Sequence, residues 1–169
     1  MDSPPRYVPE LAFPPYAYIS GQHPHPVRDP KGHSYGQPEV TLPTPQRQQI
    51  LGNSQFLFGV DLFNHGYYWE AHEVWEGLWH ACGRRGELAD FLKGLIKLAA
   101  AGFKAREGNP VGVIRHAERA QELFAQSENH RLAEWATTLR ENPPSNPTPT
   151  TAGHPVLGVR LTIEDFVVP

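Results

Sequence analysis

His72, Glu73 and Glu76 fall together in the stretch EAHEVWEGLWH, residues 70–80. On a helix, side chains three or four positions apart are neighbours, so an imidazole at 72 and carboxylates at 73 and 76 can converge on one divalent ion. His80 follows four residues after Glu76, and Glu70 precedes the group. The string HEVWE has the outline of the zincin motif HExxH, with a carboxylate in place of the second imidazole. In that chemistry His72 and Glu76 hold Zn, Mn or Ni and Glu73 is the catalytic carboxylate. The competing reading needs no ion. At 100° per residue, Val74, Tyr67, Leu78, Ala71, Trp75, Tyr68 and Trp79 form one side, and His72, Glu76, His80, Glu73 and Glu70 the other. An ordinary amphipathic helix has the same division, with its charged side in water.

Two further groups bear on that choice. Asp90, Lys93, Lys97 and Lys104 make a narrow polar stripe on the otherwise apolar segment LADFLKGLIKLAAAGFKAR. If it faces the 70–80 segment, Glu73 or Glu76 pairs with Lys93 or Lys97, which opposes a dication and favours an ion-pair network or an anionic ligand. The second group is His23, His25, Asp29 and His33, which fits zinc or nickel by residue type. Equally, HPHP is turn chemistry in a solvated loop, because a proline-stiffened chain does not itself bring ligands together.

The elements that must position these groups are set by proline. The chain holds 18 prolines, none between Pro45 and Pro110, so the ends are extended or turning and the middle is free to be helical. Helical periodicity runs over residues 45–64, 67–81, 88–106, 110–126 and 131–140. Gly83 and Gly108 follow two of these segments, and Asn109 with Pro110 is an N-cap followed by a first helical residue. Short links between helices imply antiparallel neighbours. The expected fold is all-α: an antiparallel bundle of four to five helices over residues 46–141, a Pro-rich extended arm over 1–45, and an extended tail over 142–169 with room for one short strand. Phe13, Tyr16, Tyr18 and Tyr35 among the arm's prolines argue for an ordered wrap held by those rings, since disordered segments are poor in aromatics. Asn64, just before Gly66 at a helix junction, reads as a cap or turn residue rather than a ligand. Trp75 and Trp79 read as core or cleft walls whose indole N–H groups need acceptors, supplied by Glu or His of the same helix.

Composition excludes several classes. At 169 residues one domain is expected, and a net charge of −3 with no basic cluster beyond Arg84-Arg85 argues against a nucleic-acid surface. The single Cys82 permits no internal disulfide and no thiolate zinc site, which suits a reducing compartment such as the cytoplasm. The start of the chain lacks the cationic and apolar stretches of a signal peptide, and no apolar run approaches the ~20 residues of a membrane span. There is no GxSxG elbow and no Gly-rich phosphate loop.

The run from Phe63 to Trp79, FNHGYYWEAHEVWEGLW, followed by FLKGLIKLAAA (residues 91–101) and Gly108-Asn109-Pro110, resembles the domain of unknown function 309 family over about residues 47–125. The resemblance implies a small all-helical bundle and, for some members, the description of a predicted metal-dependent hydrolase. Where it implies Gln in the FLxGLI segment, this chain has Lys93 and Lys97. Two functions follow as expectations. One is a metal-assisted hydrolase built on His72, Glu73 and Glu76, with Asn64, Glu70, Trp79, His80, Lys93 and Lys97 supporting or binding ligand. The other is a non-catalytic helical module that binds a small anion or a protein partner, its Glu, His and Lys residues forming a structural polar network. A homodimer through an apolar or aromatic face is compatible with either.

Overall fold

In the computed structural model, which describes residues 3–144, 155–158 and 160–167, the proline-free middle forms five α-helices: α1 Ser54–Asn64, α2 Tyr68–Ala81, α3 Glu87–Arg106, α4 Pro110–Gln126 and α5 His130–Glu141. The element expected over 45–64 is broken in two, a 3-10 helix Arg47–Gly52 and then α1. The cause is local. Asn53 is extended (φ −82°, ψ 114°) and its side chain accepts from Phe56 N, so it caps a new helix rather than continuing the old one. Asn109 and Asn129 repeat the device at the starts of α4 and α5, accepting from Gly112 N and Leu132 N.

Close glycine contacts fix how the helices lie. A Cβ on Gly102 of α3 would sit 2.5 Å from the Tyr68 ring of α2, and one on Gly94 would sit 2.6 Å from Phe124 of α4. The helix backbones therefore approach where those rings need room. The antiparallel order is read from pairs: the end of α3 meets the start of α2, and the start of α3 meets the end of α4. Between them lies an apolar core containing Trp75, Leu78, Leu92, Leu95, Leu98, Ala99, Val113 and Phe124, all buried. No helix among the described residues is long and apolar enough to cross a membrane.

Residues N-terminal to the bundle lie against it through buried carboxylates. Asp61 of α1 accepts from Tyr7 N (2.8 Å) and Val8 N (3.0 Å). Glu70 of α2 accepts from Tyr18 N at 3.2 and 3.1 Å through its two oxygens. Phe13 packs 4.9 Å from both His65 and Tyr67, and Tyr18 stacks on Phe103. Tyr35 does not share this role, being 52% exposed.

The C-terminal stretch contains no strand among its described residues; it makes a 3-10 helix, Ile163–Phe166. Its backbone hydrogen bonds go to bundle side chains instead of a ladder. Val156 N and Leu157 N donate to Tyr68 Oη. Asn64 donates to Leu161 O and accepts from Leu161 N, both at 2.8 Å. Asn64 is thus no cap: it ends α1 as a buried two-point clamp on the tail. Asn64→Ala leaves both Leu161 groups without this partner and should cost about 1 to 3 kcal/mol; a melting curve reads the loss, and an unchanged curve would remove the clamp from the fold's energetics.

Candidate functional site on helix α2

The sequence of α2 splits as its periodicity requires, with one exception. Tyr68, Ala71, Trp75 and Leu78 are buried, and Glu73 and His80 are exposed. Glu70 is the exception. Its position on the polar side does not leave it in water, because residues 18 and 33 cover it: it is 4% exposed, bonded to Tyr18 N, and 3.4 Å from His33 Nε2.

His72, Glu73 and Glu76 come together. One ligand atom from each lies within 4.8 Å of the others, the one such His, Cys, Asp or Glu group among the described residues. The imidazole stands between the carboxylates: Nδ1 is 3.3 Å from Glu73 Oε1, and Nε2 is 3.9 Å from Glu76 Oε2. The short Nδ1 approach lies outside hydrogen-bond geometry, so this buried atom has no hydrogen-bond partner. That is unusual for a buried polar atom and marks a place where a further group would be favourable. The three side chains are 29, 43 and 36% exposed, so a ligand can reach them. Glu73 and Glu76 also line a cleft of about 760 Å³ with Glu39, Leu42, His80 and Arg84, where Leu42 crosses Gly77.

The expected Glu–Lys pairs do not form. Neither Lys93 nor Lys97 comes within ion-pair distance of Glu73 or Glu76 among the described residues; Lys93 Nζ lies 4.5 Å over the ring of Trp79 instead. The aromatic face offers an ammonium group electrostatic attraction at little desolvation cost, and it stands one turn nearer than the carboxylates. Lys97 is half-buried and its pKa is lowered, chiefly by desolvation and then by Lys93 and Arg119, against the opposing pull of Glu76. His80 turns away from the group, its Nδ1 accepting from Arg84 Nε at 2.8 Å. Trp75 satisfies its indole N–H on Phe56 O of α1 at 3.2 Å, not on its own helix.

His23, His25 and His33 do not converge on one point. His23 stacks on Tyr16 at 5.0 Å, His25 Nδ1 accepts from Val27 N and Arg28 N, and His33 is taken up by Glu70 and by Ser34 Oγ. Asp29 accepts from Lys31 N within its own turn. These are the contacts of a folded loop, in which His25 and His33 hydrogen-bond locally and His23 Nδ1 is buried without a hydrogen-bond partner.

Two titratable residues escape a reading of sequence patterns. His116 of α4 faces Lys97, Lys104, His72 and Arg115, and burial followed by those positive charges pulls its pKa down to about 4. Asp61 is fully buried in the apolar run QFLFGVDLFN. A lone carboxylate in such a run was the available signal for Asp61. His116 had none, because nothing in the sequence shows that Lys97 and Lys104 of α3 stand beside it.

Residues 56–116 match the model of a family described as Domain of unknown function (DUF309). That stretch is similar to DUF309. The matched residues take in α1 from Phe56, all of α2 and α3, and α4 as far as His116, so the whole His72 group and its cationic neighbours Lys93 and Lys97 lie inside them. The residues that carry Tyr18 and Leu161 onto them lie outside. The description of DUF309 assigns no activity. No curated protein and no solved structure matches the chain significantly.

Proposed function

We propose that the chain is a metal-dependent hydrolase whose divalent ion is held by His72 and Glu76, with Glu73 as general base. The observation that carries this reading is the convergence of the three groups within 4.8 Å of one another, on side chains with room to rotate toward the ~3.3 Å spacing that tetrahedral 2.0–2.1 Å bonds imply. The donor set of imidazole and carboxylate suits zinc, manganese or nickel. His72 Nε2 faces Glu76, while Nδ1 lies 3.3 Å from Glu73 without a hydrogen bond; a small rotation of Glu73 would supply the carboxylate contact that usually fixes a ligand imidazole's tautomer. When bound, such an ion polarises the substrate and lowers the pKa of water. Glu73, the more exposed carboxylate, borders the cleft and in this reading takes the proton of the attacking water. The non-catalytic reading, a Glu, His and Lys polar network, keeps its His72–Glu73 and His72–Glu76 contacts but lacks Glu–Lys pairs among the described residues. The one cysteine, Cys82, has no partner for a disulfide and agrees with a reducing, cytoplasmic setting.

Elemental analysis of protein purified without added metal should find close to one equivalent. Added metal at about 100 times Kd should stabilise by about 2.7 kcal/mol, a rise in melting temperature of roughly 5 to 10 °C for a chain of this size. His72→Ala and Glu76→Gln should each abolish that rise. Glu73→Gln should keep most of it, since the base is not a ligand. Protein that carries no metal and shows no shift with Zn, Mn, Ni or Mg would sink the proposal.

A further inference from the structure

Resting on the metal reading above, the packing of three helices gives the site a second half. Gly102 faces Tyr68 and Lys93 faces Trp79, so in this antiparallel pair His72 and Glu76 of α2 lie beside the middle turns of α3, where Lys97 stands. Gly112 faces Lys104, and Gly94 faces Phe124, so His116 and Arg119 of α4 border the same turns from the other side. Ala99, Ala100 and Ala101 make that level of α3 small. Lys97 therefore projects between the imidazoles of two flanking helices.

Its cationic neighbours on α3 and α4 are engaged. Lys93 lies over Trp79, Lys104 pairs with Glu107 at 2.8 Å, and Arg119 pairs with Glu122 at 2.7 Å. Lys97 makes no ion pair and no hydrogen bond among the described residues, although it is partly buried. A partly desolvated ammonium group without an anion is costly, and an arriving anion would relieve it. The charge count points the same way. A dication neutralises Glu73 and Glu76, after which Lys97 leaves the loaded site with excess positive charge.

We propose that Lys97, with His116 beside it, anchors a phosphate group, and that the substrate class is a phosphate monoester whose phosphorus sits between Lys97 and the His72–Glu76 pair. Hydrolysis then balances as follows. A water oxygen bonds to phosphorus, the P–O bond to the alcohol breaks, and the water proton accepted by Glu73 passes to the departing alkoxide. Lys97 binds and orients the anion throughout and transfers no proton. The lowered pKa of Lys97 is consistent with an ammonium group lacking its counter-ion.

The test is calorimetric titration of the full chain with inorganic phosphate, with and without manganese, for the natural protein and Lys97→Met. The methionine keeps the apolar stem and removes the charge, so the melting temperature should be unchanged. Phosphate should bind the natural protein, more tightly with manganese present, and Lys97→Met should weaken it about tenfold or more while manganese affinity does not fall. Glycerol 2-phosphate should compete with phosphate. Failure of phosphate to bind in either condition, equal binding by Lys97→Met, or no competition by the ester would each overturn the inference. If manganese fails to bind but phosphate binding still depends on Lys97, the metal reading falls and the anion anchor stands.

Discussion

Asp61→Ala should destabilise the protein by about 3 to 5 kcal/mol, the range for removing one partner from a buried charged cluster. Asp61 is 0% exposed. It accepts from Tyr7 N and Val8 N, and Arg6 Nε lies 3.5 Å from its Oδ2. The Arg6 contact is the minor part, because that guanidinium is partly exposed and is also bonded to the carbonyls of Val8 and Leu11. The two amides decide the size of the effect. Each buried N–H left without an acceptor costs about 1 to 3 kcal/mol, unless the residues around position 7 peel away into water. In that case the loss appears as exposure of Phe13, whose ring packs on His65 and Tyr67. At 2–4 °C per kcal/mol the melting temperature should fall by roughly 10 °C, and trypsin should cut sooner at Arg28 or Lys31. Asp61→Asn keeps one acceptor oxygen and should lose less. A fall below about 1 kcal/mol for Asp61→Ala would mean that the N-terminal segment is held elsewhere.

How far the sequence shows this arrangement depends on the range of the signal. Helices α2, α3 and α4 are legible because their apolar spacing and their Gly and Asn-Pro punctuation are local. The break at Asn53 is local too, yet it competes with an apolar run that periodicity alone reads as continuous helix. Glu70 was misplaced for a different reason. A helical wheel tells which side of α2 is polar but not that Tyr18 and His33, more than thirty residues away in sequence, cover one end of that side. Asn64 likewise looks like a cap until Leu161, 97 residues later, is seen to use both ends of its amide. The convergence of His72, Glu73 and Glu76 was readable, since all three are within five residues on one helix. Their freedom from Lys93 and Lys97 was not, because it turns on Trp79 offering Lys93 a nearer partner.

The same long-range dependence sets the second large effect, at Gly59. In an exposed helix, Gly→Ala stabilises by about 1 kcal/mol, since alanine loses less backbone freedom on folding. Gly59 lies in the middle of α1, and by propensity alone the change should help. The structure reverses the sign. A Cβ there would meet the indole of Trp75, with Cε2 at 2.6 Å and Cδ1 at 2.7 Å and Nε1 nearer still. Trp75 is 0% exposed and tied by its N–H to Phe56 O, so it cannot move aside without losing a buried hydrogen bond. Overpacking of a tight core costs about 1 to 3 kcal/mol, with larger values where the neighbour is rigid. Gly59→Ala should therefore lose about 2 kcal/mol net and Gly59→Val more. A double-mutant cycle separates this clash from propensity. Trp75→Leu alone should cost about 3 kcal/mol or more through the cavity it opens. In that background Gly59→Ala should become nearly neutral or stabilising, because the added methyl enters the space the indole has left. Equal penalties in the two backgrounds would place the strain in the α1 backbone and not at the α1–α2 contact. The distinction matters for the site, because Trp75 is the buried neighbour in sequence of Glu76, and the packing of its ring against Gly59 fixes how far α2 is rotated and hence where His72 and Glu76 face.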